Sequence, residues 1–247
     1  MMSSVKYLNA LRPGMLFLAL IFICVPAQAR DSKKISVKQC FDLVFPNLNL
    51  GHIGSKTSRV SRAIAQTEKE LDGLSYSSVV AWEPKKRLAV KRFFIEKGKG
   101  KMDFLGQALP KYDQNQKLGK ATMSIQDIRW SQSMCRNSSQ DKKYSVINNA
   151  KAFKEGTLTV EKLPTIRVWR DTEGRVWTLD HRRLAAMRLS GVVDKIQVEF
   201  VAETMVKEQA FKFSTQNEGR SILVHIDDGE TPDDLSIVLI NEGVPLK

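Results

Sequence analysis

The chain is poor in histidine, cysteine and acid, and it has only one long apolar run. Three histidines, His52, His181 and His225, stand among 247 residues at no spacing that metal ligands use, which excludes a histidine-built metal motif. Carboxylate-held Mg²⁺ leaves no such signature, so a divalent cation such as Mg²⁺ stays open as a cofactor. No internal repeat and no low-complexity tract occurs, which excludes a solenoid or a repeat array. The one unbroken apolar run is Met15 to Val25. It is shorter than the roughly 20 residues a bilayer span requires, and no second run follows it.

That run has the layout of a cleavable export signal. Lys6 and Arg12 precede it, and Ala27-Gln28-Ala29 follows it with small residues suited to signal peptidase. The expectation is a signal over residues 1–29, a mature chain from Arg30, and a periplasmic or secreted location; a retained membrane anchor is the weaker reading. Cys24 falls within the discarded segment, and the bulky Ile23 before it does not suit lipid attachment. Cys40 and Cys135 remain. In an oxidising compartment they read either as a disulfide joining the N-terminal region to the later domain or as two buried free thiols. A catalytic Cys135 is less well supported, because no base stands near it in sequence.

Acid is short: Lys and Arg number 39 against 27 Asp and Glu, and removing Lys6 and Arg12 with the signal lowers the formal net charge from +12 to +10. Such an excess points to polyanionic partners, meaning nucleic acid, phosphorylated ligands or an anionic membrane surface, and says nothing about fold. Over two hundred residues remain after the signal, enough for one large or two small domains with a real core.

Three regions follow. In residues 30–119, Val60, Ile64, Thr67, Leu71 and Leu74 recur at helical spacing from Ser58, and they predict an amphipathic scaffold helix. After Pro84 comes KKRLAVKRFFIEKGKGK, in which eight basic residues are opposed only by Glu96. The run reads either as a phosphate-following surface or as a solvated face around two core phenylalanines, and the solvated face is preferred. Residues 111–120 read as a linker.

Residues 120–203 carry the informative pattern. Leu163 to Arg170 is a strand with Ile166 and Val168 on one face, Asp171 to Gly174 a turn, and Arg175 to Leu179 a returning strand. Asp180 is placed to cap a helix running through HRRLAAMRLS, which Gly191 ends, and Lys195 to Val201 is a further strand. In residues 204–247, Phe211-Lys-Phe213 and Ser221 to Ile226 flank an Asn217 to Gly219 turn, and Leu235 to Ile240 is a strand. His225, alternating with apolar neighbours, is expected to be exposed. The fold class expected is α+β, with a helical and basic N-terminal region and a short β-rich C-terminal extension.

The candidate site is the start of the HRRLAAMRLS helix. Arg182 and Arg183, with His181 when protonated, sit where the helix dipole is already positive, at a cost of roughly 0.3–1 kcal/mol each. A phosphate accepting from the helix amides and the guanidinium groups would resolve the conflict. Successive helical side chains diverge by about 100°, so one arginine can clamp a ligand while the other pairs with an acid such as Asp180 or Glu199. The alternative is that both are surface arginines satisfied by carboxylates.

The order of hairpin, T-L-D-H-R-R-L-A-A, helix and strand resembles the ParB/sulfiredoxin superfamily, specifically its ParB-like nuclease domains. In these a G-E-R-R or G-H-R-R motif opens a helix at a phosphate pocket. His181, Arg182 and Arg183 match the last three motif positions and Asp180 replaces the glycine. Ile125 to Gln132 followed by Cys135, Leu163 to Val168, and Lys212 to Val224 are similar to a branch found in secreted bacterial toxins and effectors. The resemblance covers about half of the mature chain and leaves residues 33–119 unexplained. It implies phosphate binding by His181, Arg182 and Arg183, and catalysis involving His181, Arg182 and Asp180, with His181 as acid or base and Asp180 as metal ligand or helix cap. Sulfiredoxins carry a reactive cysteine where this chain has Asp180, and partitioning ParB proteins continue into a helix-turn-helix that this chain lacks, so neither activity is expected. What is expected is an exported nuclease-type toxin or effector acting on nucleic acid. The rivals are a non-catalytic nucleic-acid or nucleotide-binding module, a nucleotide-dependent phosphotransferase, and a structural envelope protein.

Overall fold

A computed structural model describes residues 35–51, 53, 54, 57–97, 109–141, 143–226 and 235–241. The expected signal over residues 1–29 lies outside them, as do Lys99 and Lys101 at the end of the basic run. The described chain is α+β, with two mixed sheets.

The helices begin where short polar side chains satisfy first-turn amides. Helix α1 (Val37–Val44) starts with a capping box in which Ser36 and Gln39 exchange hydrogen bonds. Helix α2 (Ser58–Glu70) starts with Thr57 accepting from the Val60 N–H. Of the stripe predicted for α2, Val60 and Thr67 are buried and Ile64 partly so, while Leu71 and Leu74, also buried, lie beyond the end of the helix. The basic run forms α3 (Pro84–Lys97), with proline in the first turn, where its missing N–H costs nothing.

Four strands make one sheet: β1 (Ser78–Ala81), β4 (Met134–Arg136), β8 (Ser221–His225) and β9 (Leu235–Ile240), in the order β1-β9-β8-β4. Residues from all three sequence regions thus share a single sheet. The second sheet has the order β2-β7-β5-β6-β3, from β2 (Gly119–Ser124), β3 (Ile128–Trp130), β5 (Ile166–Arg170), β6 (Val176–Thr178) and β7 (Lys195–Phe200). Strands β5 and β6 form the expected hairpin, with Val168 opposite Thr178, and β7 runs parallel to β5.

Period-two alternation divides β1, β8 and β9 between two apolar layers. Val79, Ile222, Val224, Ile237 and Leu239 from the first sheet meet Ile166, Val168, Ile196 and Val198 from the second in the main core. On the far side of the first sheet, Val80, Trp82, Leu223 and Val238 pack with Cys40, Phe41 and Phe45 of the α1 region. Helix α5 (His181–Ser190) lies in the main core against α4 (Val146–Lys154), and every residue from Leu184 to Ser190 is buried. Arg188 anchors α5: its Nη2 donates to the carbonyls of Ile125 and Ile128, and its guanidinium lies 4.2 Å from the Trp130 ring centre.

Three expectations are corrected here and one alternative is decided. No disulfide joins Cys40 and Cys135, so the thiol reading holds, with Cys40 buried and Cys135 partly buried. They pack on opposite sides of the first sheet, Cys40 in the outer layer and Cys135 against the main core, so the sheet separates them. Residues 111–120 are not a loose linker, since Tyr112 bridges to Asp171 and the buried Gln116 donates to the Val201 carbonyl. Phe211-Lys-Phe213 is not a strand: a 3-10 turn (Ala210–Lys212) turns Phe213 inward, edge-on to Trp177 at 5.3 Å, and leaves Phe211 exposed. His225 is buried rather than exposed, because both faces of β8 are covered.

Candidate functional site

Strand β6 ends at Thr178 and α5 starts at His181, so the motif residues sit at a strand-to-helix turn held by local bonds. The Thr178 hydroxyl accepts the Asp180 N–H at 2.9 Å. Asp180 precedes the helix as expected, but its side chain does not cap it. The carboxylate turns to Arg167 on β5. Its Oδ2 accepts from the Arg167 backbone N–H at 2.8 Å and from Nε at 3.0 Å, and its Oδ1 accepts from Arg167 Nη2 at 2.7 Å. The same Oδ1 is 2.6 Å from Arg183 Nη2. Burial pushes the Asp180 carboxyl up, but the Arg167 bonds and the Arg183 charge outweigh it and hold it below the ordinary carboxylate value.

Arg183 is therefore occupied. Its Nη1 donates to the carbonyls of Pro164 and Thr165 while Nη2 serves Asp180. Three protein acceptors thus take three of its five N–H donors. Adjacent helical side chains diverge, so Arg182 points elsewhere. Arg182 is exposed, and its guanidinium makes no hydrogen bond or ion pair among the described residues; its carbonyl accepts from the Tyr144 hydroxyl at 3.1 Å. With Asp180 turned away, the N–H groups of the first turn of α5 also have no protein partner among the described residues.

His181 is buried, with Nε2 2.8 Å from the Ser131 hydroxyl. Ser131 spends its proton on the Thr178 carbonyl at 2.9 Å. A carbonyl can only accept, so the imidazole must donate from Nε2. Burial pushes the ring pKa down to about 3, and the Asp180 charge opposes it. The ring is therefore neutral near pH 7 with its Nε2–H held by Ser131, so it carries no imidazolium proton to give and is a weak base, and the acid or base role expected of His181 does not fit.

The unfolded chain takes up a proton at His181 below pH 6.5 that the folded chain refuses until about pH 3, so stability is lost as the pH falls through that window. Thermal unfolding between pH 7 and pH 4 should show stability falling by up to about 1.4 kcal/mol per pH unit from this group. In His181→Gln that component should vanish; an unchanged slope would refute the assignment.

These residues open onto a cleft of about 1240 Å³. Arg182, Arg183, His181 and Asp180 line it from α5 and its approach, and Arg167 from β5. Arg136 lines it from β4, Lys212 from the 3-10 turn, and Arg87 and Lys91 from α3. Among the described residues, seven cations thus share the cleft with one carboxylate, Asp180, whose oxygens are both engaged. Lys212 is carried to the rim because Ser214 is tied to Ser131 and Ser133 through backbone and hydroxyl bonds. Among the described residues no group of three or more His, Cys, Asp or Glu is arranged to hold a metal. Asp180, fully bonded, does not fit as a ligand for the Mg²⁺ left open by the sequence.

His181, Arg182, Arg183 and Asp180 lie together on the cleft, and the sequence named neither Arg167, Arg136, Lys212 and the cleft side of α3 for it, nor Ser131 as the partner of His181. Only Arg167 carried a local signal: standing between the core-facing Ile166 and Val168, it had to point to the opposite face of β5. Searches against family models, curated proteins and solved structures match nothing to this chain.

Proposed function

We propose that the protein is an exported, ParB-like module that binds the phosphate groups of nucleic acid or nucleotide in the cleft at the start of α5. The observation that carries this reading is the seven-to-one excess of cations over carboxylates among the described residues around that cleft. Arg182 is the residue that grips phosphate, assisted by the uncapped amides of the first helical turn. Asp180, Arg167 and Arg183 hold the turn in shape, and His181 fills the wall as a neutral ring. The site chemistry supports binding more than hydrolysis, since His181 and Asp180, the residues expected to move protons or hold metal, are already committed.

Binding of fluorescein-labelled single-stranded DNA and RNA, followed by anisotropy between 50 and 200 mM salt, tests the proposal. Affinity should fall with salt, with a log–log slope of about −0.7 per phosphate contacted. Arg182→Ala should weaken binding by about 1.5–3 kcal/mol, the worth of a charged hydrogen bond, with an unchanged melting temperature because Arg182 is exposed. Equal binding by this variant would sink the proposal. Shortening of the labelled strand by the wild type and not by Arg182→Ala would restore the nuclease reading.

A further inference from the structure

Resting on the phosphate-binding reading, we propose that α3 is a second wall of the cleft, and that the ligand is a run of consecutive phosphates in a nucleic-acid backbone rather than the phosphates of one nucleotide. Arg87 and Lys91 stand four residues apart, on one face of α3, and both line the cleft that Arg182 lines from α5. Val90, between them, is buried in the outer apolar layer, and the Lys86 ammonium donates to the Leu50 carbonyl.

Three features favour a polynucleotide over a single nucleotide. At about 1240 Å³ the cleft exceeds the roughly 300–1,000 Å³ of small-ligand sites. Its cations come from α3, β4, β5, α5 and the 3-10 turn, so the positive charge is spread along the cleft rather than gathered at one point. Among the described residues Tyr144 is the only Phe, Tyr or Trp that lines it, and that ring's hydroxyl is tied to the Arg182 carbonyl. A base thus has little to stack on, and recognition falls to the backbone charge, which accumulates with each added phosphate.

The experiment measures affinity for ATP and for single-stranded 12-mers of mixed, all-T and all-A sequence. It uses the wild type, Arg87→Gln/Lys91→Gln, and Lys85→Gln/Lys120→Gln, a control removing two exposed charges outside the cleft. The expected result is that the wild type binds 12-mers at least tenfold tighter than ATP and nearly independently of sequence. The α3 variant should bring that ratio towards one and reduce the salt slope by about 1.4, whereas the control variant keeps the ratio. Equal affinity for ATP and 12-mer, or an α3 variant no different from the control, overturns the second wall while leaving phosphate binding at Arg182 intact. Absence of binding to either ligand by the wild type overturns both. Circular dichroism spectra matching the wild type show that the variants fold.

Discussion

Asp180→Ala is expected to cost about 3–5 kcal/mol, the penalty for breaking a buried ion pair and leaving its partner uncompensated. Two guanidinium groups lose their counter-charge at once: Arg167, which gives Asp180 three hydrogen bonds including one from its backbone, and Arg183. For a protein of this size the melting temperature should fall by roughly 6–20 °C. Asp180→Asn should be the milder change, because the amide keeps one oxygen acceptor. The same carboxylate, held below its ordinary pKa, adds stability above the unfolded-state value near 4 that is lost as the pH falls through the folded value. A variant melting within 2 °C of wild type would show that the cluster is a surface arrangement and would remove the rigid frame on which Arg182 depends.

The second large effect is expected at Gly219, the last residue of the Asn217-Glu218-Gly219 turn. Its φ of +72° is open to glycine, and a Cβ added there would lie 2.6 Å from the Trp130 carbonyl oxygen and 2.9 Å from the Trp130 nitrogen. These are backbone atoms of a core strand and cannot swing aside as a side chain would. Left-handed strain of about 1–2 kcal/mol and overpacking of about 1–3 kcal/mol should combine in Gly219→Ala to roughly 2–5 kcal/mol. The Gly219 carbonyl also accepts the Trp130 N–H, and its own N–H donates to the Thr215 hydroxyl. The segment that this turn holds carries Lys212 and Ser214 to the cleft, so, on the proposed function, the loss of stability should be accompanied by weaker binding of nucleic acid. Chemical denaturation checks the first effect; native-like stability would contradict the close packing.

The two predictions divide along the line between local and distant information. The α2 stripe, the β5–β6 hairpin, the helix from His181 and its stop at Gly191 were legible because each depends on residues a few positions apart, through periodicity, turn chemistry or a left-handed glycine. The fate of the Asp180 side chain was not legible. N-capping and pairing with Arg167 are both open to an aspartate before a helix, and the choice followed from β5 placing a guanidinium and an N–H alongside it. The 3-10 turn over Ala210–Lys212 was missed for a similar reason, since alternation over three residues fits a strand until the Trp177 ring gives Phe213 a place inside.

By itself the sequence determined an α+β chain with an excess of positive charge, an anion-inviting helix start at His181-Arg182-Arg183, and the rule that neighbouring arginines on a helix must part. These follow from composition and from repeats that a backbone imposes at short range. Tertiary structure alone decided which arginine is spent on Asp180 and which faces the cleft, that burial keeps His181 neutral, and that Cys40 and Cys135 lie on opposite sides of a sheet. It also brought Arg87, Arg136, Arg182 and Lys212 around one opening, because a cleft is a product of how elements from distant parts of the chain pack, and no local pattern encodes that.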